Sequence, residues 1–486
     1  MLGDILVNIR DITKKIPIGI KSASAYVIAS VLTRGLAIIT IPIFTRLLTT
    51  EQMGTVNLYN TWSSNLSIIT SLAITSGGLG LAMKEFETER DEYTSSILLI
   101  PTIMSAVLLL IYRAAPDFFQ HILGLSNGLI LFMLFGLMVS PATAIWMYRK
   151  RYEYKYMQSS LVSFGVALIS CILSIYVVTY MKKNNPVNIV EGKLISSALI
   201  SYGASFILYI SMMLKGRTLF SKKYWIFSLQ LSLPLVGYSF SNQILMFSDR
   251  IMISKMVDNS AVGIYSLLYN VSSLSDIVWN AMIAAYIPFL YQNFDSQKDK
   301  IRKITDILLI FYAGVAIILT FFAPEIVWIL ATEEYYESVN IMPPIACGIF
   351  YMAVFGIYTP IFVYYKKTGY LMVTTSITAV LNIILNVIFI PLFGYQAAAY
   401  TTLVSYGVLA FIQYLIAVNF ENRMNGIKNS IYNNFHIMLL SFVTTIICLS
   451  GILLYKFYLL RYLVIFLIIF ICSLVIYRNR NQIKFR

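Results

Sequence analysis

A few charged residues stand deep inside apolar stretches of this sequence, where charge is rare. Arg34 lies near the middle of the apolar run 22–45. An arginine at such a depth opposes membrane insertion by about 2.5–3.5 kcal/mol, so Arg34 is expected to face a wet cavity or a partner. Because a guanidinium binds phosphate through two parallel hydrogen bonds, Arg34 is a candidate phosphate-binding residue. The alternative is a structural ion pair, or a contact with helix carbonyl groups inside the bundle.

Two carboxylates occupy similar places in the second half of the chain. Asp249 lies beside Arg250 in the run 228–253, and Asp276 lies within the next apolar run. Each carboxylate can bind a proton or a sodium ion, or neutralise a basic residue of another helix. Neighbours on a helix point about 100° apart, so Asp249 and Arg250 need not pair with each other. We predict substrate contact for Asp249 and Arg250, and coupling to a proton or sodium gradient through Asp249 or Asp276.

A weak internal repeat surrounds these residues. At an offset of about 209 positions Gly54 matches Gly263, and paired halves of this kind are typical of transporters with a central site. A basic residue precedes each of the two glycines by the same interval. The overlay also places Gln243 opposite Arg34, so Gln243 joins the predicted substrate cavity.

Helix-breaking residues interrupt the same runs. Pro42 and Pro234 fall in the first run of each half, and Gly77 and Gly78 fall in the second run. Freed carbonyl groups and local bending at such places would let one half of a transporter rock against the other, so these four are candidate hinges. Prolines and glycines are also frequent in membrane helices without a gating role, which is the alternative interpretation.

The elements that carry these residues are membrane helices. The chain has 486 residues, of which 58% are hydrophobic and 12% charged, and its mean hydropathy is +0.76. Such a composition excludes a soluble protein. Apolar stretches of about 20 residues fit helices that span a bilayer, and two-residue alternation is missing. The sequence therefore predicts an all-α polytopic membrane protein with about 14 transmembrane helices.

The order of these stretches predicts two six-helix halves and two appended helices. The last two apolar runs have no counterpart in the first half. The predicted parts are an amphipathic segment on the membrane surface, an N-terminal lobe, a cytoplasmic connection, a C-terminal lobe, and two further helices with a basic tail. Their bounds are 1–21, 22–214, 215–227, 228–419 and 420–486.

Charge sets the orientation and excludes several functions. The net charge is +14, but about 26 of the basic residues fall in loops of one side and about 9 on the other, which places both termini in the cytoplasm. This asymmetry explains the basic excess without nucleic-acid binding. The 4 cysteines and 2 histidines are isolated, which disfavours disulfides, a metal site and histidine catalysis. Phosphate-binding loops and soluble domains are missing, so the sequence predicts no cofactor and no enzyme.

Four stretches carry a family resemblance. They are IPIFTRLLTTEQMGTVNLY (41–59), SDRIMISKMVDNSAVGIYSLLYNV (248–271), FAPEIVWIL (322–330) and LNIILNVIFIPLFGYQAAAYTTLVSY (381–406). With them the chain resembles the flippases of polysaccharide biosynthesis, which move O-antigen or capsule repeat units and belong to the multidrug/oligosaccharidyl-lipid/polysaccharide exporter superfamily.

The resemblance implies two six-helix lobes around a central cavity. It also implies that the chain moves an undecaprenyl-diphosphate-linked oligosaccharide from the inner to the outer leaflet of the bacterial cytoplasmic membrane by alternating access. The polymerase and chain-length regulator of the same pathway are the implied protein partners, together with membrane lipids.

The resemblance extends to single residues. Arg34 falls where related flippases place a basic cavity residue, and Asp249 with Arg250 matches the Asp-Arg pair of the seventh helix. Asn382 and Asn386 match paired asparagines, which are expected to hold helices together. The chain departs from the family pattern at Thr49, where proline is frequent.

Two other functions remain open from the sequence. A MATE-type drug or cation antiporter would share the fold and would need acidic cavity residues. A membrane transferase, or a non-transporting component of polysaccharide assembly, belongs to another class. The transferase would need a large outer loop with catalytic residues, and the loops here are short.

Overall fold

We describe the chain from a computed structural model that covers residues 18–153, 155–294, 296–425 and 430–479. Within these ranges every regular element is a helix, and no strand is present. The all-α, polytopic prediction is therefore confirmed. The predicted amphipathic segment 1–21 lies almost wholly outside the described residues, as does the end of the basic tail, 480–486.

The helices follow one another through short connections. The first ten are α1 Ile18–Leu47, α2 Thr50–Ser71, α3 Ile74–Gly77, α4 Leu79–Glu85, α5 Arg90–Ala114, α6 Pro116–Leu123, α7 Asn127–Tyr152, α8 Tyr156–Asn184, α9 Ile189–Gly216 and α10 Lys222–Met256. The others are α11 Asn259–Ser272, α12 Ser275–Asn293, α13 Lys298–Phe321, α14 Ala323–Leu330, α15 Met342–Tyr364, α16 Gly369–Phe393, α17 Gln396–Asn425, α18 Asn434–Leu454 and α19 Tyr458–Asn479.

Many of these helices are long and apolar enough to cross a bilayer. In the described part of the chain ten segments meet that criterion by length and composition. One of them joins α11 and α12, and the shorter apolar helix Tyr458–Leu474 comes in addition. The protein is thus a multi-pass membrane protein, while the predicted number of 14 spans is not confirmed.

The helices group into two compact units. The first contains the described residues up to Ile43 together with Leu66–Val236, and the second contains Phe44–Asn65 and the described residues from Gly237 onward. The unit boundaries thus fall inside α1, α2 and α10. The lobe bounds of the sequence analysis remain a prediction.

An aromatic cluster forms the core at one end of the first unit. The rings of Phe86 and Tyr93 stack with centroids 5.2 Å apart, and Tyr224 meets both edge-on. The hydroxyl groups of Tyr93 and Ser228 share a hydrogen bond of 2.7 Å. Aromatic packing of this kind adds to plain burial, so the cluster joins α4, α5 and α10.

Basic side chains beside this cluster are partly neutralised by carboxylates. Arg149, in the last turn of α7, contacts Asp91 at 2.6 Å and Glu153 at 2.7 Å, and Lys155 contacts Glu153 at 3.0 Å. Burial alone would raise the pKa of Glu153, but the hydrogen bonds and positive charges of Arg149 and Lys155 lower it to about 2. The carboxylate therefore stays ionised at neutral pH and anchors the basic end of α7.

The second predicted span is broken rather than continuous. Leu72 and Ala73 separate α2 from α3 with φ of 47° and 52°, and Gly78 separates α3 from α4. A left-handed conformation disfavours a residue with a Cβ by about 1–2 kcal/mol, so surrounding packing must hold this bend. A Cβ at Gly78 would also lie 2.7 Å from the side chain of Leu231. The bend adjoins the predicted hinge residues Gly77 and Gly78.

Inside the second unit, α2 and α11 cross with their backbones in direct contact. A Cβ at Gly54 would collide with the carbonyl oxygen of Asn259, and a Cβ at Gly263 with that of Thr50. The hydroxyl groups of Thr50 and Ser260 lie 2.5 Å apart at the same crossing. At the repeat offset Thr50 is equivalent to Asn259, and Gly54 to Gly263. The contact is thus reciprocal, as expected of two repeats related by a pseudo-two-fold axis, and it supports the predicted repeat.

We predict that Gly263→Ala and Gly54→Ala each lower the melting temperature of the purified protein. The added methyl group would meet backbone atoms that cannot rotate away, and overpacking of this kind destabilises by about 1–3 kcal/mol. Thermal unfolding in detergent, followed by intrinsic fluorescence, measures the effect. Gly407→Ala in α17 is the matched control, since its nearest neighbour would be 3.9 Å away. A Gly263→Ala protein as stable as this control would contradict the prediction.

Candidate functional site

Four helices of the second unit converge on the carboxylate of Asp249, which is only 1% exposed. Its Oδ2 accepts hydrogen bonds from the hydroxyl of Tyr265 on α11, at 2.7 Å, and from Thr402 on α17, at 2.6 Å. Its Oδ1 accepts one from the amide of Asn386 on α16, also at 2.7 Å. Short hydrogen bonds to an ionised acceptor are strong ones, so this carboxylate holds α10, α11, α16 and α17 together.

A second layer of polar groups completes the network. The Asn386 amide also donates to Asn382 Oδ1 at 3.2 Å, and Thr401 donates to the Asn386 oxygen. Asn382 in turn accepts from Ser248 and donates to Thr402. Asn382 and Asn386 thus link α16 to α10 and α17, which is the helix-holding role that the family resemblance implies for them.

Arg250 lies next to this network but points elsewhere. It is 2% exposed and lies over the rings of Phe247 and Tyr269, 4.8 Å and 4.6 Å from their centroids. Its Nε donates to the hydroxyl of Ser266 at 3.1 Å, and a second nitrogen lies 3.4 Å from Asn270 Oδ1. Among the described residues no salt bridge joins Arg250 to Asp249. The Asp-Arg pair therefore consists of two separate buried interactions, and neither side chain faces open space in this conformation.

Asp276 has a different environment. It lines a cavity of ≈ 330 Å³ in the second unit together with Tyr238 and Asn242 of α10 and Trp279 of α12. The other lining residues are mostly aromatic or aliphatic, and they include Tyr291, Tyr312, Phe355 and Thr359. Positions 276, 279, 283, 287 and 291 all line the cavity, so one face of α12 forms its wall. This face makes a partly polar chamber within an apolar segment.

The remaining predicted site residues lie elsewhere. Arg34 is exposed on α1, and within the described part of the chain it has no hydrogen bond or ion pair. Gln243 is half-buried on α10. Pro42 lies inside α1, and the α10 backbone stays helical through Pro234, whose side chain is not described. The substrate and hinge assignments of these residues remain predictions.

Sequence reasoning missed the partners of Asp249 and most of the cavity. Tyr265 lies four residues before Tyr269, and Thr401 and Thr402 stand side by side in an apolar helix. For the cavity, Tyr238 and Asn242 are one turn apart, as are Asp276 and Trp279. Residues three or four positions apart share a helix face, so this spacing is the signal that would have grouped them.

We predict that Asp249→Ala destabilises the protein more than Asp249→Asn. Alanine leaves three buried donors without an acceptor, at about 1–3 kcal/mol for each, whereas asparagine keeps one oxygen and the hydroxyl groups can reorient. Melting temperatures in detergent compare the two variants. Asp299→Ala is the matched control, because the Asp299 side chain is 88% exposed. If Asp249→Ala melts like this control, the network does not hold the four helices together.

Comparison with known proteins identifies the family. The profile of polysaccharide biosynthesis proteins matches residues 20–294, and the MatE profile matches residues 234–388. No curated protein sequence matches the chain.

Several solved structures share the fold. The lipid II flippase MurJ in an inward closed conformation has a TM-score of 0.64 at 16% identity, over 93% of this chain and 98% of that one. An inward-facing multidrug resistance MATE family transporter of the MOP superfamily has a TM-score of 0.58 at 13% identity, over 84% and 95%. The Vibrio cholerae MATE transporter VcmN reaches 0.51 at 12%, over 85% and 98%.

At these identities the solved structures establish the fold, and all three are transporters or flippases rather than enzymes. The first family profile spans more than half of the chain. The chain therefore belongs to the polysaccharide biosynthesis protein family, with the fold of MOP-superfamily transporters.

Proposed function

We propose that this protein is a flippase for lipid-linked oligosaccharides. Its substrate would be an undecaprenyl-diphosphate-linked repeat unit of an O-antigen, capsule or exopolysaccharide, carried from the inner to the outer leaflet of the bacterial cytoplasmic membrane. The observation that carries the proposal is the exposed guanidinium of Arg34 in a membrane protein of the polysaccharide biosynthesis family.

The physical problem in this reaction is the diphosphate. Its negative charge must cross roughly 30 Å of hydrocarbon, where an unpaired charge is strongly disfavoured. Arg34 is suited to offset that cost because its guanidinium can donate two parallel hydrogen bonds to phosphate. The sugars would travel in an aqueous cavity between the lobes 22–214 and 228–419, while the prenyl chain stays in lipid. Both termini would lie in the cytoplasm, near the polymerase and chain-length regulator of the pathway.

Alternating access requires that the lobes change their relative orientation. We place the bending points at Pro42, Pro234, Gly77 and Gly78, where helices lack regular hydrogen bonds or can bend. The left-handed residues Leu72 and Ala73 support this choice, because strained backbone clusters at segments that switch conformation.

We further propose that Asp249 couples transport to a proton or sodium gradient. Its carboxylate is surrounded by hydroxyl and amide oxygens of three other helices, and hard oxygen ligands of this kind suit a small cation. Protonation or cation binding would change the charge at the junction of α10, α11, α16 and α17. A change there would alter how these helices pack. Asp276, the other candidate for coupling, lies in a cavity instead.

A second candidate function has its own support. The MatE profile covers residues 234–388, and the cavity beside Asp276 combines a carboxylate with aromatic rings, as a site for an organic cation would. A MATE-type drug antiporter would raise resistance to cationic drugs on expression. A flippase would instead restore surface polysaccharide in a strain that lacks its own.

Arg34→Ala should abolish export in that complementation assay while the protein still inserts. Loss of charge-assisted hydrogen bonds to phosphate corresponds to about a ten- to hundredfold lower transport rate. Arg34→Lys should keep part of the activity, because lysine retains the charge without the planar fork. Arg113→Ala is the matched control, an exposed arginine in the last turn of α5. Normal export by Arg34→Ala would remove Arg34 from the mechanism.

Coupling is tested with the purified protein in lipid vesicles that contain the lipid-linked oligosaccharide. An imposed proton or sodium gradient should accelerate transport by the native protein, and Asp249→Asn should lose the acceleration because its amide carries no charge. Asp299→Asn should respond like the native protein. Transport that ignores both gradients would rule out the coupling proposal while leaving the flippase assignment intact.

A further inference from the structure

We propose that the cavity beside Asp276 is a subsite for one sugar ring of the transported oligosaccharide. The inference rests on the proposed function and adds a substrate-recognising site inside the second unit. At ≈ 330 Å³ the cavity lies at the lower end of the range of about 300–1,000 Å³ that small-molecule sites occupy. That volume fits a single ring better than a whole repeat unit.

Several polar groups of the cavity are uncommitted. In the described part of the chain neither the Tyr238 hydroxyl, the Asn242 amide nor the Trp279 indole N–H makes a hydrogen bond. All three residues are partly exposed and line the same space as the Asp276 carboxylate. Polar side chains inside a membrane segment are normally paired, so three uncommitted groups around one cavity indicate a polar ligand.

The mixture of donors and acceptors favours a sugar over a cation. An indole N–H can only donate, an amide both donates and accepts, and a carboxylate only accepts. A sugar hydroxyl both donates and accepts, so it can satisfy all of them. An organic cation offers no acceptor to the N–H groups of Trp279 and Asn242 and would leave them unpaired.

Aromatic walls supply the second half of a sugar site. The rings of Trp279 and Tyr312 lie with centroids 5.0 Å apart at 44°, and Phe355 lines the same cavity. The Tyr312 hydroxyl bonds to Ser275 at 3.0 Å, which fixes its ring. Such flat apolar faces can cover the C–H face of a pyranose while its hydroxyl groups turn to the polar side chains.

The depth of the cavity fits a transport pathway. Asp276 lies midway along the apolar segment Asn259–Asn293, so the cavity wall reaches the middle of the predicted membrane span. Transporter sites are typically at this depth. The carboxylate of Asp276 would then select for hydroxyl groups, while Arg34 binds the diphosphate.

Binding measurements on the full chain in nanodiscs test the inference. The probes are the lipid-linked repeat unit isolated from the source cells and undecaprenyl diphosphate without sugar. The native protein should bind the sugar-bearing probe more tightly. Asp276→Asn, Asn242→Ala and Trp279→Phe should each reduce that preference, by about tenfold for Asp276→Asn. Their unchanged affinity for undecaprenyl diphosphate would show that they are folded.

Matched controls and contrary outcomes complete the design. Trp328→Phe and Asp299→Asn replace the same residue types at exposed positions and should keep the preference. If the native protein transports and prefers the sugar-bearing probe but the three cavity variants do so equally well, the subsite is refuted and the flippase assignment stands. If the native protein neither binds nor transports that probe, both fail. Binding of tetraphenylphosphonium that is lost in the cavity variants would assign the cavity to cations and overturn the sugar subsite.

Discussion

The need to pair every polar group inside an apolar helix bundle governs this structure. Asp249 is the strictest example, since a carboxylate that is 1% exposed is tolerated only with full hydrogen bonding. Tyr265, Asn386 and Thr402 provide it, and each comes from a different helix. One buried charge thereby determines which helices of the second unit must be neighbours. Apolar packing alone would permit other arrangements, because in lipid it hardly discriminates between helix faces.

The fold class was predictable because that constraint acts on composition. A bilayer admits only helices or closed barrels, so long apolar runs without two-residue alternation leave one solution. The reciprocal contact of Gly54 and Gly263 was also visible as a repeat, since close backbone approach requires the same residue type in both copies. Sequence reasoning reached these features because each depends on residue type at a fixed spacing along the chain.

Features that depend on distant partners were out of its reach. The bend at Leu72 and Ala73 carries no proline, and its left-handed residues are held by tertiary packing that no local pattern encodes. Likewise, Glu325 was interpretable only as a solvated loop charge. In the structure Arg461, 136 residues away, binds it through two hydrogen bonds of 2.9 Å and 2.8 Å and joins α14 to α19. Pairings of this kind require knowledge of which helices meet.

The pairing rule also separates structural from functional charges. Asp249 and Arg250 were grouped with Arg34 and Asp276 as intramembrane charges, and the sequence could not rank them. The structure satisfies the first two internally, with hydrogen bonds for Asp249 and both hydrogen bonds and aromatic rings for Arg250. Arg34 is exposed without a partner in the described residues, and Asp276 lines a cavity with uncommitted neighbours. A charge that the protein leaves unsatisfied in a membrane is disfavoured unless a ligand completes it. Arg34 and Asp276 are therefore the stronger candidates for substrate contact, and Asp249 for the packing that a coupled ion would modulate.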